Sequence, residues 1–271
     1  MHQGSRYQPA RITAVLDGRY QLRREIARGG HGVVFEAEHL VTRAHAAIKT
    51  LAGPSLDNPA AQARLIREAR VIGAVKHQHV IAVLDAGVCA KFGPYAVLEM
   101  IEGRPLDGIL LARQTLPVAQ TVALALQLCD ALTAVHQHGI VHRDVKPGNL
   151  LISQGTSGDR LLLIDFGIAK VSHEEESATQ KITRAGELLG TVEYMAPEQI
   201  KDDGPIDPRS DVYAVGVVLY ECLTGEVPYM GSPTAVIASM LARTPVGSIR
   251  ALRNDVPPAL EAAVRRALEL D

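Results

Sequence analysis

Between Tyr20 and Lys49 apolar and polar residues follow one another at short period in three runs, YQLRREIA, VVFEAEHL and AHAAIKT, and this predicts three strands. After the loop GPSLDNP, the segment AAQARLIREARVIGAV carries Leu65, Ile66, Ala69 and Ile72 at helical spacing. HVIAVLDAGV and YAVLEMIEG read as two further strands. From Leu106 the period changes. LPVAQTVALALQLCDALTAVHQHG predicts one long apolar helix, with Pro117 in its first turn and Gly139 after its end. SDVYAVGVVLYECLTG predicts a second, opened by an N-cap at Ser210 or Asp211 and closed by Gly225, and PPALEAAVRRALELD a third. VSHEEESATQKITRAGE, residues 171–187, reads as one long loop. The expected organisation is an N-terminal extension over 1–17, a small sheet lobe with one helix over 18–101, and a larger helical lobe over 102–271.

Composition narrows the class. With 271 residues, 47% apolar and 21% charged, the chain has the make-up of an ordinary globular protein and enough length for a sizeable core. A net charge of −2 gives no reason to expect nucleic acid or an acidic membrane surface as a partner. Cys89, Cys129 and Cys222 are too scattered for a disulfide framework or a zinc site, and each lies in or beside an apolar run, so all three are expected to be small buried residues. The N-terminus lacks the apolar core of a signal peptide, and VYAVGVVLYECL at 212–223 is too short to cross a bilayer. No membrane contact is expected within this span. The expected location is the cytoplasm, as an independent protein or as part of a longer, anchored one.

The chemistry-bearing residues come in a definite order. IARGGHGVVFEA places Gly29, Gly30 and Gly32 between two strands, where missing Cβ atoms let backbone N–H groups approach phosphate oxygens; a plain tight hairpin fits the same residues. Lys49 ends the strand AAIK, and Glu68 on the next helix is placed to pair with it, although each alone is an ordinary surface residue type. GIVHRDVKPGNLLI then interrupts an apolar run with His142, Arg143, Asp144, Lys146, Pro147, Gly148 and Asn149. RLLLIDFG follows, ending in Asp165, Phe166 and Gly167, and GTVEYMAPEQ closes the series.

Taken together and in this order, these motifs resemble the signature set of protein kinases, and most closely the bacterial form of the eukaryotic-like (Hanks-type) serine/threonine branch. The resemblance implies an α+β, bilobal protein-kinase-like fold, with a small antiparallel β-sheet lobe, one key helix, and a larger mainly helical lobe, the nucleotide lying between the lobes. It implies an ATP-dependent protein serine/threonine kinase acting on protein substrates. By resemblance, Asp144 accepts the substrate hydroxyl proton, Lys146 offsets charge on the transferred group, and Thr191 bonds to both. Asn149 and Asp165 would hold Mg²⁺ or Mn²⁺, and Lys49, oriented by Glu68, would meet the nucleotide phosphates. The resemblance assigns ATP contacts to Ala27, Gly29, Gly30, Gly32, Val34, Ala47, Lys49, Leu98, Glu99, Ile101 and Leu151, several of which would serve equally as core packing.

Arg143 would anchor a phosphorylated activation-loop residue, with Thr183 the leading candidate, then Thr179, and Ser177 and Ser172 after them. Autophosphorylation in trans would require a transient homodimer. The chain departs from the family pattern at Ala27, where the first loop glycine usually stands, and at Tyr213, often Trp. The family also pairs Glu198 with an arginine beyond a terminal L-x-x-D pattern, so Glu198 is expected to lack that partner and the helical lobe to be truncated before its last helix. Two other readings fit parts of the pattern. A pseudokinase scaffold would normally lack one of Lys49, Asp144 or Asp165. A small-molecule phosphotransferase would not be expected to carry Arg143 together with GTVEYMAPE.

Overall fold

In the computed structural model, described over residues 14–29, 32–155, 158–165, 192–201 and 206–269, the chain divides into two compact units. The first holds the residues up to Ala74 together with Ile81–Ile101; the second holds Val75–Val80 and everything from Glu102 onward.

The first unit is built on a six-stranded antiparallel sheet. Its strands are β1 (Val15–Leu16), β2 (Tyr20–Gly29), β3 (Gly32–His39), β4 (His45–Thr50), β5 (Val83–Cys89) and β6 (Gly93–Glu99), in the order β1-β2-β3-β4-β6-β5. Strand periodicity divides the side chains between two faces. Leu22, Ala46, Ile48, Tyr95 and Val97 form a core on one face. The other face is covered by helix α1 (Pro59–Ala74), whose Ala61, Leu65 and Ala69 pack with Leu51 and Ala96. Asn58 starts this helix by accepting hydrogen bonds from the Ala60 and Ala61 amides at 2.9 and 3.1 Å.

The second unit is mainly helical. Helices α2 (Leu106–Arg113) and α3 (Val118–Gln137) lead to a hairpin of β8 (Leu150–Gly155) and β9 (Gly158–Leu163), joined on the β8 side by the short β7 (Arg104–Pro105). Helices α4 (Pro197–Lys201), α5 (Pro208–Thr224), α6 (Pro233–Leu241), α7 (Ile249–Leu252) and α8 (Pro258–Ala267) follow. Sequence pattern predicted α3, α5 and α8 but not the β7-β8-β9 sheet, because LLI and LLLI, buried on both faces, carry no alternation to read. Segment 75–80 belongs here through backbone: the Leu163 amide donates to His79 O at 2.8 Å and Arg160 donates to Gln78 O at 2.7 Å.

Three expectations need correction. Pro117 lies just before α3 rather than in its first turn, since its carbonyl accepts from the Thr121 amide. Helix α5 starts earlier than predicted: Asp207 is its N-cap, accepting from the Arg209 amide at 2.8 Å, and Pro208 supplies the first turn, so Ser210 and Asp211 lie inside the helix. Of the three cysteines only Cys222 is buried; Cys129 sits on the outward side of α3 and Cys89 is half-buried. By length and composition α3 is also apolar enough to cross a membrane, yet its Leu124, Leu128, Ala131 and Val135 are buried where it packs on β9 and α5.

Candidate active site

In the first unit, register decides which side chains meet. Val34 lies opposite Lys49, and Ala47 opposite Leu98, so these four share one sheet face. Ala46 and Ile48 point the other way, into the core. The face carrying Lys49 is the one that α1 covers, and the only carboxylate on the buried stripe of α1 is Glu68. Lys49 Nζ lies 3.1 Å from Glu68 Oε1, with the two side chains 13% and 10% exposed. An ion pair so poorly hydrated holds the ammonium in one place. Glu99 is committed elsewhere, since its carboxylate accepts from the Ala82 amide at 2.8 Å while its own amide donates to Ala82 O at 3.0 Å. Ile101, half-buried, ends this unit.

The hairpin of β2 and β3 brings Gly29 opposite Gly32 and the exposed Ala27 opposite Val34. Gly32 has a structural duty of its own. Its φ is +156°, and a Cβ there would stand 2.1 Å from the carbonyl oxygen of Thr50 on the neighbouring strand. Nothing crowds Gly29.

In the second unit, residues 139–149 form a loop that runs into β8, anchored by the buried Val145 within it and by the buried Leu150 and Ile152 of the strand. Within it Arg143 takes a φ of +66°, a strained value for a residue with a side chain. Asp211 of α5, 1% exposed, holds that geometry. Its two oxygens accept from the His142 and Arg143 amides, each at 2.8 Å, and His136 Nε2 lies 2.7 Å from Oδ2. Gln199 of α4 completes the clamp by donating to Arg143 O at 3.0 Å. Sequence reasoning missed the roles of Asp211, His136 and Gln199. The available signal was Asp207-Pro208, which fixes the helix start and leaves Asp211 as a carboxylate inside a buried turn that must find donors.

The clamped loop presents Asp144, Lys146 and Asn149 together. Asp144 Oδ2 lies 3.0 Å from Lys146 Nζ and accepts from Asn149 Nδ2 at 2.9 Å. The same Nδ2 donates to Asp144 O at 2.8 Å and more weakly to Asp165 O at 3.4 Å. Asp165 also has a positive φ, +51°. Leu151, half-buried on β8, lies opposite Leu162. Arg143 is a half-buried residue whose guanidinium meets no carboxylate among the described residues. Gly30, Thr191 and the candidate phosphosites Ser172, Ser177, Thr179 and Thr183 lie outside the described residues, as do Phe166 and Gly167.

The donors around Asp144 and Asp165 fit Mg²⁺. Asn149 spends its Nδ2 on hydrogen bonds, which turns its carbonyl Oδ1 to other use, and Asp165 adds a carboxylate. No three His, Cys, Asp or Glu converge among the described residues. Mg²⁺ needs no such cage, because phosphate and water oxygens supply most of its ligands.

Two more contacts organise the same unit. Glu198 accepts from Ser210 Oγ at 2.5 Å, so a hydroxyl of α5 serves the carboxylate that the family pattern gives to an arginine. The Tyr194 hydroxyl donates to Glu221 Oε2 at 2.6 Å. Burial pushes both pKa values up, and the neighbouring carboxylates of Asp107 and Glu193 push Glu221 further in the same direction.

Comparison with known proteins places the chain in a family. The sequence pattern of the protein kinase domain matches residues 20–265. The chain belongs to the protein kinase family. The kinase domain is 36% identical over 261 residues to the serine/threonine-protein kinase PknH of Mycobacterium tuberculosis, spanning 96% of this chain and 40% of that protein. It is 36% identical to PknL of the same organism over 93% of this chain and 61% of PknL, and 35% identical to PknB of Mycolicibacterium smegmatis over 93% of this chain and 40% of PknB. The chain thus spans less than two thirds of these relatives. Among solved structures, the Mycobacterium tuberculosis PknI kinase domain superposes with a TM-score of 0.71 at 24% identity, over 97% of this chain and 92% of that one. That likeness shows the fold.

Proposed function

We propose that this kinase domain transfers the γ-phosphate of ATP to serine or threonine hydroxyls of protein substrates, with Asp144 as the residue that receives the hydroxyl proton. The observation that carries the reading is the arrangement of Asp144, Lys146 and Asn149 on a strained loop pinned by Asp211. Phosphoryl transfer needs positioning and charge neutralisation more than covalent help from the protein. Asp144 orients the substrate hydroxyl and takes its proton as the new O–P bond forms. The bond from phosphorus to the β-γ bridging oxygen breaks, and ADP leaves. Lys146, 3.0 Å from the Asp144 carboxylate, offsets charge on the phosphoryl group. Lys49, held by Glu68, binds nucleotide phosphate oxygens, while Val34, Ala47 and Leu98 offer an apolar face to the base. Asn149 and Asp165 would hold Mg²⁺, which neutralises phosphate charge when bound.

The half-buried Arg143 supports a regulatory reading, in which a phosphorylated loop residue, Thr183 first and Thr179 second, supplies the anion for its guanidinium. Transfer between two copies of the domain would bring such a phosphate, and the domain would work in the cytoplasm. The deciding experiment compares wild type with Asp144→Asn and Lys49→Ala, using radiolabelled ATP and a generic protein substrate. The wild type is expected to label the substrate and both variants to lose most of the signal. Equal labelling by all three would refute the assignment.

A further inference from the structure

Three elements of the second unit close into a ring beside Asp144. Ser210 and Asp211 are neighbours on α5, and each holds a different element: the Ser210 hydroxyl donates to Glu198 of α4, and Asp211 accepts the His142 and Arg143 amides of the loop. Gln199, the neighbour of Glu198, closes the ring by donating from Nε2 to Arg143 O at 3.0 Å. Its other atom is committed too, since Oε1 accepts from the Ala196 amide at 3.0 Å. Ala196 is fully buried, so its N–H needs an acceptor within the protein. The side-chain amide of Gln199 therefore has one workable orientation. Turned over, it would set two donors against each other at Ala196 and two acceptors at Arg143.

The two ends of this bridge belong to different parts of the unit. Arg143 O lies on the peptide that leads directly into Asp144. Asp211 holds the two peptides before it, whereas the amide side of this one makes a longer bond, from Asp144 N to His142 Nδ1 at 3.3 Å. The bond from Gln199 is thus the shorter of these two tethers on the peptide that aims Asp144. At the other end, the segment around Ala196 is anchored without help from the loop. Val192 and Ile200 are buried with Tyr229, Val236 and Met240, and the Tyr194 hydroxyl is held by Glu221 of α5.

We propose that Gln199 is a positioning residue for phosphoryl transfer: through the Arg143 carbonyl it fixes the peptide that aims the Asp144 carboxylate and ties that peptide to α4. The inference rests on Asp144 being the residue that receives the hydroxyl proton. Gln199→Glu is the discriminating change, because it keeps the size and the acceptor for Ala196 but replaces the donor to Arg143 O by a carboxylate oxygen, which repels it. Gln199→Met keeps the length and brings no charge.

The test measures steady-state kinetics of the intact kinase domain with radiolabelled ATP and a generic protein substrate, in wild type, Gln199→Glu, Gln199→Met, Asp144→Asn and Asp144→Asn/Gln199→Glu. Gln199→Glu is expected to lower kcat about tenfold to a hundredfold, since a small misplacement of a reacting group costs that much, while KM for ATP stays within about twofold. Gln199→Met is expected to lower kcat less. In the Asp144→Asn background, read with enzyme in excess over substrate so that low rates remain measurable, Gln199→Glu is expected to add less than about a twofold loss, because residues acting as one unit are not additive. Thermal unfolding checks that each variant is folded. Should Gln199→Glu unfold, Gln199→Met carries the same comparison. A wild-type kcat in folded Gln199 variants, a change confined to KM for ATP, or a further tenfold loss on top of Asp144→Asn would overturn the proposal. Full activity of Asp144→Asn alone would strike the role of Asp144, and the proposal with it, so the two failures are told apart.

Discussion

Asp211 reaches 68 residues back along the chain to hold Arg143, its Oδ1 accepting the Arg143 amide at 2.8 Å. Its Oδ2 accepts the His142 amide at the same distance. A buried carboxylate of α5 thereby pins the two peptides that lead into Arg143, next to Asp144, at the one point of the loop where a non-glycine residue takes a left-handed φ. Asp211→Asn keeps the size but replaces one acceptor oxygen by a donor. The expected cost is about 3 kcal/mol of stability, as for a broken buried charged interaction. Activity is expected to fall about 100-fold, because a shift of the loop misplaces Asp144. Urea unfolding and steady-state kinetics measure the two, and wild-type kinetics in this variant would remove Asp211 from the positioning role.

The Lys49 to Glu68 pair should act on nucleotide use. Glu68→Gln retains shape and removes the charge that neutralises the ammonium. A charged hydrogen bond contributes about 1.5–3 kcal/mol, so kcat/KM for ATP should fall about tenfold to a hundredfold. Kinetics at varied ATP would show it, and a change confined to the protein substrate's KM would contradict it.

The two loop glycines should respond differently. Gly32→Ala forces a Cβ toward the Thr50 carbonyl at a φ that L-residues avoid, whereas Gly29 has open space around its Cβ position. Gly32→Ala is expected to cost more than about 1 kcal/mol and Gly29→Ala less. Equal melting temperatures in the two variants would show that the strand spacing is not what demands glycine.

Glu221 sets a pH dependence. Burial raises its folded-state pKa above the ordinary 4.5. Its contribution to stability is therefore fully present below pH 4.5 and is lost as pH rises through the elevated folded value. Glu221→Gln keeps an acceptor for the Tyr194 hydroxyl and never ionises, so it should melt higher than wild type at neutral pH. The advantage should vanish under acid conditions. A melting difference constant across pH would rule out the ionisation as its cause.

Autophosphorylation should appear between residues 170 and 191. After incubation with Mg-ATP, peptide mass mapping is expected to find phosphate at Thr183 before Thr179, and Thr183→Ala should lower activity toward added substrate. An unphosphorylated segment after prolonged incubation would leave Arg143 without its expected anion.

Strands β2, β3 and β5 and helices α1, α3 and α8 were legible because one side of each is more buried than the other, and one-sided burial writes a period of two or 3.6 into the sequence, whereas β4, β6 and α5, buried on more than one side, were legible from their length and from the turn and cap residues that bound them. β8 and β9 were not, because their apolar cores are buried on both sides and show no period. Ser210 and Asp211 looked like capping residues. Both are instead turned inward, to Glu198 and to the loop that carries Asp144, since the cap was already provided by Asp207.

By itself the sequence determined the family, the order of the chemical groups and the residues proposed to carry them, since local motifs such as HRDVKPGN keep their spacing wherever the chain folds. Only the tertiary structure decided what holds those groups. The clamp of Arg143 by Asp211, the service of Glu198 by Ser210 and the demand for glycine at Gly32 all join residues distant in the chain or set one strand against another. Such contacts depend on which faces burial brings together, and a buried polar group takes the partner within reach in space, wherever that partner stands in the sequence.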